Sequence, residues 1–287
     1  MSDTDRRFEV VIPAYNAEKT VTESIQSALA AGATRVIVVD DGSKDSTANV
    51  ARSTGADVIR QENAGASVAR RTGLREVEAP YVVMLDADDA LIPEGVKRSI
   101  DGLAQAAGAV AYGGAALGFF RSGETTTVAA NATEMNTQQL VAQGFSPIPP
   151  ACIVWRTAEL REALFEASPE PLLPRYAEDY EMIIRASMRG TVHFHQDLAA
   201  RYAMEGGKSI VDPSNSIRSA AGIRSYYSRE LGLAVTPWTE RSVRARVELR
   251  RYKNANSRGK QVVHLFRSFV NSPGLFADMV KAKLRRG

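Results

Sequence analysis

The chain has 287 residues, a length for one large domain or a domain with an appendage, and its 44% hydrophobic and 24% charged residues are ordinary for a soluble globular protein. A single cysteine, Cys152, excludes an internal disulfide framework, and no stretch approaches the ~18 uncharged apolar residues of a membrane-spanning helix. The opening MSDTDRRFEV lacks the apolar centre of a secretory signal, so a cytoplasmic protein is expected.

The small net charge of +3 conceals an asymmetry: Ser216 to Gly287 hold 16 Lys and Arg against 4 Asp and Glu, which leaves the rest of the chain acidic. An acidic body with a basic appendage that meets something anionic is the implied organisation.

In chain order, FEVVIPAY reads as a buried strand. Asn16 is then a candidate N-cap for a helix carrying Val21, Ile25, Ala28 and Leu29 at helical spacing and closed by Gly32. RVIVVD is a second apolar run, suited to a parallel sheet covered on both faces. Asp45 or Ser46 would cap a short helix ended by Gly55, ADVIRQ is a third strand, GASVARRTGLREV a helix and YVVMLD a fourth strand. Strand and helix alternating through short connections predict right-handed crossover units on a parallel sheet. The second half is less regular. AVAYGGAALGFF, ACIVWR, TVHFHQ and LAARYAM read as strands, TAELREALF and EDYEMIIRASMRG as helices, and the polar stretch 121–143 is left unassigned. Everything readable beyond Ser214 is helical and basic, so the expected division is a catalytic domain over 1–213 and a helical extension over 214–287.

Acidic residues gather where the apolar runs end. Strand one finishes at Pro13-Ala14-Tyr15, strand two at Asp40-Asp41-Gly42-Ser43, and strand four at Asp86-Ala87-Asp88-Asp89. In an open parallel sheet the carboxyl ends of strands line the ligand crevice. Carboxylates crowded there repel one another unless a cation joins them, and Mg²⁺ typically takes one or two and leaves its other positions to water and phosphate. A metal-bound diphosphate answers that requirement, and the plainer alternative is that Asp88 or Asp89 caps a following helix. No G-x-x-x-x-G-K-[ST] and no G-x-G-x-x-G after strand one is present, which speaks against an ordinary phosphate loop and a dinucleotide cofactor.

VVIPAYNAEKTV, VVDDGSKDST, NAGASVARRTGL, VVMLDADD and AEDYEMIIRASMRG, in this order, resemble the inverting glycosyltransferases of family 2 with the GT-A fold, from about Phe8 to Ser209. The resemblance implies an α/β fold, Rossmann-like, with a mostly parallel sheet flanked by helices. It implies a nucleotide-sugar donor, with uracil expected as the base, and Mg²⁺ or Mn²⁺ as cofactor. Donor contacts would come from Pro13, Ala14, Tyr15, Asn16, Asp41, Gly65, Arg71, Asp86 and Ala87, and the metal would sit on Asp88 with Asp86. Asp179 would be the general base and Glu178 the alternative, although both also read as a helix N-terminus. Two departures stand out. The family's Asn is Arg71 here, and its late Y-R-x-H-x-x-S pattern is Tyr202 to Ser209, where Glu205 and Lys208 are the candidate substitutes. Asp89 and Trp155 are further accessory candidates, Trp155 as a sugar platform or a core aromatic. His193 and His195 are expected to be ordinary.

The implied acceptor is a glycan or lipid-linked hydroxyl, in keeping with cell-envelope polysaccharide work. In the tail, QVVHLFRSFV and GLFADMVKAKLRR mix apolar and basic residues at helical spacing, with Phe276, Met279, Val280 and Leu284 on one face. An anionic membrane surface on the inner side of the membrane is one reading. A solvated subdomain, an oligomer contact or nucleic-acid binding are the others, nucleic acid not being expected for a glycosyltransferase. Two rival functions remain open: a sugar-nucleotide pyrophosphorylase, which would need a Gly-rich basic loop where PAYNAEKT stands, and a non-catalytic binding protein acting through the tail.

Overall fold

The computed structural model describes residues 6–120, 123–204, 213–254 and 258–284. The chain divides into two compact units, residues 1–205 and 206–287.

The first unit is built on strands β1 (Phe8–Ala14), β2 (Arg35–Asp40), β3 (Asp57–Arg60) and β4 (Tyr81–Met84), which pair in parallel in the order β3-β2-β1-β4. Val10 to Ile12, Val36 to Val39 and Val82 to Leu85 are all buried, as continuous apolar strands between two layers of helices require. Helices α1 (Val21–Ala30), α2 (Thr47–Ser53) and α3 (Ala66–Glu76) make the crossovers. The fold is the expected α/β arrangement of sheet and flanking helices.

Beyond β4 the sheet continues through strands of both senses. After the short β5 (Ala90–Leu91) and helix α4 (Pro93–Gln105) come β6 (Ala109–Phe119), β7 (Thr125–Val128), β8 (Glu134–Met135), α5 (Thr137–Gln143), β9 (Ile153–Arg156), α6 (Thr157–Phe165), α7 (Glu178–Ser187) and β10 (Thr191–Ala203). The strand order is β3-β2-β1-β4-β9-β6-β10-β5, with β9 antiparallel to both β4 and β6 and β10 parallel to β6. TVHFHQ and LAARYAM, expected as two strands, are one strand whose register shifts absorb the interruption. The polar stretch after β6 supplies β7, β8 and α5.

Two cap assignments change. Asn16 has φ 52 and lies outside α1, whose N-cap is Thr20. Helix α4 is capped at Ile92 with Pro93 in its first turn, so neither Asp88 nor Asp89 is its cap.

The second unit contains α8 (Pro213–Glu230), α9 (Glu240–Asn254), α10 (Arg258–Asn271) and α11 (Pro273–Leu284). Its interior includes Ile223, Tyr227, Val243, Ala245 and Val247. The guanidinium carbons of Arg224 and Arg246 stand 5.2 and 3.8 Å from the centre of the Trp238 ring. Among the described residues no helix is long and apolar enough to cross a membrane.

Candidate active site

Strand register brings the acidic segments to one rim. Ala14 pairs with Asp40, so β1 and β2 end together, while Val11 pairs with Met84, so β4 leaves the ladder three residues earlier and Asp86 to Asp89 follow along the same carboxyl edge. The backbone N–H of Leu85 still donates to Val11, and Asp86 is the first residue free of the ladder. Tyr15, 44% exposed, stands at the end of β1 as an open aromatic face. Asn16 is tied into the rim, its N–H donating to Ser43 Oγ at 2.9 Å while its Oδ1 accepts the N–H of Lys44 at 2.9 Å.

Asp41, one of the expected donor contacts, is engaged by the protein's own chain. It is buried, and its carboxylate accepts the Gln61 amide and the backbone N–H groups of Ala64 and Gly65, each at 2.8 Å. Its role in the structure is to fold the loop 61–65 against the end of β2. Gly42, at φ +76, allows this approach, since a Cβ there would stand 3.0 Å from the Asn63 nitrogen.

The centre of the cleft is an arginine that sequence reasoning passed over. Arg70 on α3 is 3% exposed and donates to Asp86 Oδ1 at 2.6 Å and to Glu178 Oε1 at 2.9 Å. Burial works against its charge, yet the two carboxylates outweigh that and raise its pKa. Arg71, the expected donor contact, turns the other way. Its guanidinium donates to the Leu164 carbonyl and lies 4.4 Å from the centre of the Phe165 ring. The structure separates the two arginines: Gly73 and Leu74 are buried on the inward face of α3, and Arg70 precedes them by three and four residues. Gly73 lets that face approach closely, because a Cβ there would fall 2.4 Å from Val11.

The other three aspartates are not neutralised by the protein. Asp89, 2% exposed, accepts the Ala203 N–H at 3.2 Å through Oδ1, while its Oδ2 has no partner among the described residues. Burial first, then the charges of Asp86 and Asp88, push its pKa up to about 9. Asp88 is exposed at the surface but crowded, and partial desolvation followed by Asp86 raises its pKa as well. Asp179 heads α7 beside Glu178. Desolvation and the Glu178 charge lift it to about 6, against the lowering effect of Arg70. Ala177, the residue before them, is held at φ 57, a left-handed conformation that a residue with a Cβ adopts only at a cost.

Two further residues, also missed in the sequence, hold this segment in place. Glu181 accepts the N–H groups of Leu172 and Leu173 at 2.6 and 3.1 Å. Arg185, 1% exposed, donates to the carbonyls of Ala163, Ala167 and Pro169 at 2.6 to 2.8 Å. Spaced four apart on α7, they fasten the chain that leads into Ala177 and the two acids.

Among the described residues no three Asp, Glu, His or Cys side chains form a ready cation cage. Asp88 with Asp86 fits a different demand, that of a cation which takes one or two carboxylates and completes its shell with phosphate oxygens. The crowded, partly desolvated carboxylates and the orphaned Asp89 oxygen are what such a cation would relieve.

Several candidates fall elsewhere. Trp155 is wholly buried in β9, paired opposite Val82 and Ala111, so it is a core aromatic and no sugar platform. His193 and His195 both lie beside Tyr112, at 5.7 and 5.6 Å between ring centres, and His195 shares a hydrogen bond with Ser99 Oγ at 2.8 Å. Cys152 is buried and its thiol pKa is raised by burial. Pro13 and Ala14 close β1, Ala87 is buried between the two aspartates, and Gly65 precedes α3. Glu205 and Lys208 lie outside the described residues.

Comparison with known proteins gives this geometry its context. The sequence pattern named Glycosyl transferase family 2 matches residues 9–157. Glycosyltransferase AglJ of Haloferax volcanii is 32% identical over 97 residues, 33% of this chain and 32% of that protein. The succinoglycan biosynthesis protein ExoU of Rhizobium meliloti is 41% identical over 91 residues, 29% of this chain and 27% of that protein. The chain thus spans about a third of the length of the curated relatives it matches. S. aureus TarS 1-349 in complex with UDP-GlcNAc superposes with a TM-score of 0.59 at 20% identity, covering 97% of this chain and 85% of that one. The mannosyltransferase PcManGT from Pyrobaculum calidifontis, in complex with GDP-Man and Mn²⁺, gives 0.60 at 14% identity over 97% and 79%. At such identities these structures speak to fold alone, whereas the sequence pattern covers more than half of the residues, from β1 through β9. The chain belongs to glycosyl transferase family 2.

Proposed function

We propose that the chain is an inverting glycosyltransferase that moves a sugar from a nucleoside-diphosphate donor, with UDP preferred, to a hydroxyl of a glycan or lipid-linked acceptor. The observation that carries this reading is Arg70, whose two ion pairs join the acid at the end of β4 to the acid at the head of α7. Donor-side and acceptor-side carboxylates therefore share one cleft. Solved structures with this fold carry UDP-GlcNAc, or GDP-Man with Mn²⁺, which supports a sugar nucleotide as the donor.

The roles divide by environment. Tyr15 and Pro13 flank the base, and Asp41 walls it indirectly through the loop it folds. A divalent cation, Mg²⁺ or Mn²⁺, held by Asp88 and Asp86, would supply positive charge to the departing diphosphate. Glu178 is engaged by Arg70, whereas Asp179 has no ion pair among the described residues and a pKa raised to about 6. A carboxylate poised just below neutral pH can be ionised in the resting enzyme and still accept a proton. Asp179 takes the proton of the acceptor hydroxyl as that oxygen bonds to the anomeric carbon. The bond from that carbon to the diphosphate oxygen breaks, and the nucleoside diphosphate leaves with the electron pair. Attack from the face opposite the leaving group inverts the centre.

The basic second unit adds attraction to an anionic membrane surface, which would keep the enzyme beside a lipid-linked acceptor. A pyrophosphorylase is disfavoured by PAYNAEKT, which lacks the basic Gly-rich loop. A purely binding protein gives no reason to keep a strained Ala177 ahead of an uncompensated Asp179.

Thermal unfolding with UDP, GDP, dTDP and CDP, each with and without Mn²⁺, tests the donor site. One nucleotide should stabilise the protein only with the metal, by about 2.7 kcal/mol at a hundred times its Kd. Asp88→Asn should lose that shift. A shift that persists undiminished in Asp88→Asn would remove Asp88 from the cation site, and no shift with any nucleotide would count against the whole reading.

A further inference from the structure

Helix α10, Arg258–Asn271, is amphipathic in the opposite sense to an ordinary surface helix. Its inward side is polar. Ser268 is fully buried without a partner for its hydroxyl among the described residues, and His264 Nδ1 lies 2.7 Å from Glu248 Oε2 on α9. Its outward side is apolar: Val262, Val263, Phe266, Phe269 and Val270 are 65, 47, 66, 46 and 61% exposed. At ~100° per residue these five occupy one arc of about 120°, and Ser268 falls opposite its centre. A surface helix normally buries its apolar stripe. Single exposed apolar residues are ordinary, but a contiguous face of this kind marks an interaction surface.

The charge around that face selects among occupants. The region from Ser216 to Gly287 holds 16 Lys and Arg against 4 Asp and Glu. Arg267 and Lys260 border the arc, at roughly 140° and 160° from Val262 on the same helical count. A second copy docking through the same face would bring the same excess of positive charge there and be repelled. The interface of an anionic bilayer offers acyl chains to the apolar arc and negative headgroups to the cations beside it. The sequence had pointed to both QVVHLFRSFV and the last helix for this purpose, and had named a face only on the latter. There Phe276 packs edge-on against Phe269, 5.5 Å between ring centres, so Phe276 supports the α10 face, and the Leu284 side chain lies outside the described residues.

We propose that the Val262–Val270 face of α10 is the docking surface of this protein for an anionic lipid bilayer, lying in its interfacial layer with Phe266 at the centre. The proposal rests on the membrane reading above only for the attraction of opposite charge; the apolar face is an independent observation.

Co-sedimentation with vesicles of phosphatidylcholine, alone or mixed with phosphatidylglycerol, tests it on the full chain. Wild type should pellet with the mixed vesicles and much less with phosphatidylcholine, the more weakly as salt rises. Val262→Ser with Phe266→Ser, which leaves the net charge unchanged, should weaken binding by about tenfold or more. The same variant should melt as wild type does, because both side chains are exposed. Failure of wild type to bind, or binding undiminished in the variant, overturns the proposal. So does a wild-type dimer that the variant dissociates, since a second copy would then be the occupant. Nucleotide binding measured in the same samples reports separately on the proposed donor site.

Discussion

Asp179 and Arg70 show how one cleft uses acids in different ways. With a folded pKa of about 6 against 3.8 for the free side chain, Asp179 binds its proton more tightly in the folded state. Its ionisation therefore costs stability, a cost absent below about pH 4 and fully present above about pH 6. Asp179→Asn is expected to raise stability at pH 7.5 by ~1–2 kcal/mol, the gain fading as pH falls toward 4, while kcat drops by about 10²–10⁴-fold. Chemical denaturation at several pH values and a transfer assay read the two effects, and kcat of the wild type should rise with pH through about 6. Glu178, Arg70 and Asp86 all face this group, so the apparent value belongs to the cluster. Arg70→Met should act in the opposite direction. It leaves the partly exposed Asp86 and Glu178 without their shared cation, and a loss of about 1–3 kcal/mol is expected. A midpoint of urea unfolding within error of wild type would show that the two ion pairs are not what holds α7 to the β4 rim.

At the scale of elements, helix α7 and the segment before it set the position of Asp179, the proposed base. Glu181 and Arg185 fasten that segment from the first and last turns of α7, and Ala177 at φ 57 makes the corner from which Glu178 and Asp179 project. Glycine relieves a left-handed residue at no steric cost. Ala177→Gly is expected to stabilise the fold by ~1 kcal/mol and to lower kcat while the Kd for the nucleotide stays the same, since the corner that aims Asp179 is then freer. Increased kcat together with increased stability would mean that the strained corner has no part in aiming the base. The helix α3 is the second positioning element: Gly73 seats it against Val11 of β1, and that depth is what carries Arg70 into the cleft while Arg71 is left outside on Phe165.

On the scale of the whole molecule, two units of opposite charge each carry one of the two tryptophans, Trp155 in the β9 core of the first and Trp238 beside two arginines of the second. Fluorescence of Trp155→Phe and Trp238→Phe variants therefore reports one unit at a time. A nucleoside diphosphate with Mn²⁺ is expected to move the unfolding midpoint seen by Trp155 and to leave the one seen by Trp238 in place, because Pro13, Tyr15, Asp86 and Asp88, the proposed base and metal contacts, all lie in the first unit. Equal movement of both would mean that the units unfold as one. Much of the first unit was legible in the sequence. Continuous apolar runs such as RVIVVD are incompatible with a half-exposed strand, and acids that follow them must emerge at the carboxyl rim of a parallel sheet. Family membership was legible in part for the same reason, since VVIPAYNAEKTV, VVDDGSKDST and VVMLDADD are those strand ends. What the sequence could not fix was direction: which of two adjacent arginines turned inward, whether Asp41 faced a ligand or its own loop, whether Trp155 was platform or core, and that the apolar side of α10 faces out. Periodicity assigns residues to faces of an element, but which face is buried depends on what packs against it, and that is decided only when segments distant in sequence, such as α3 and α7, meet through Arg70.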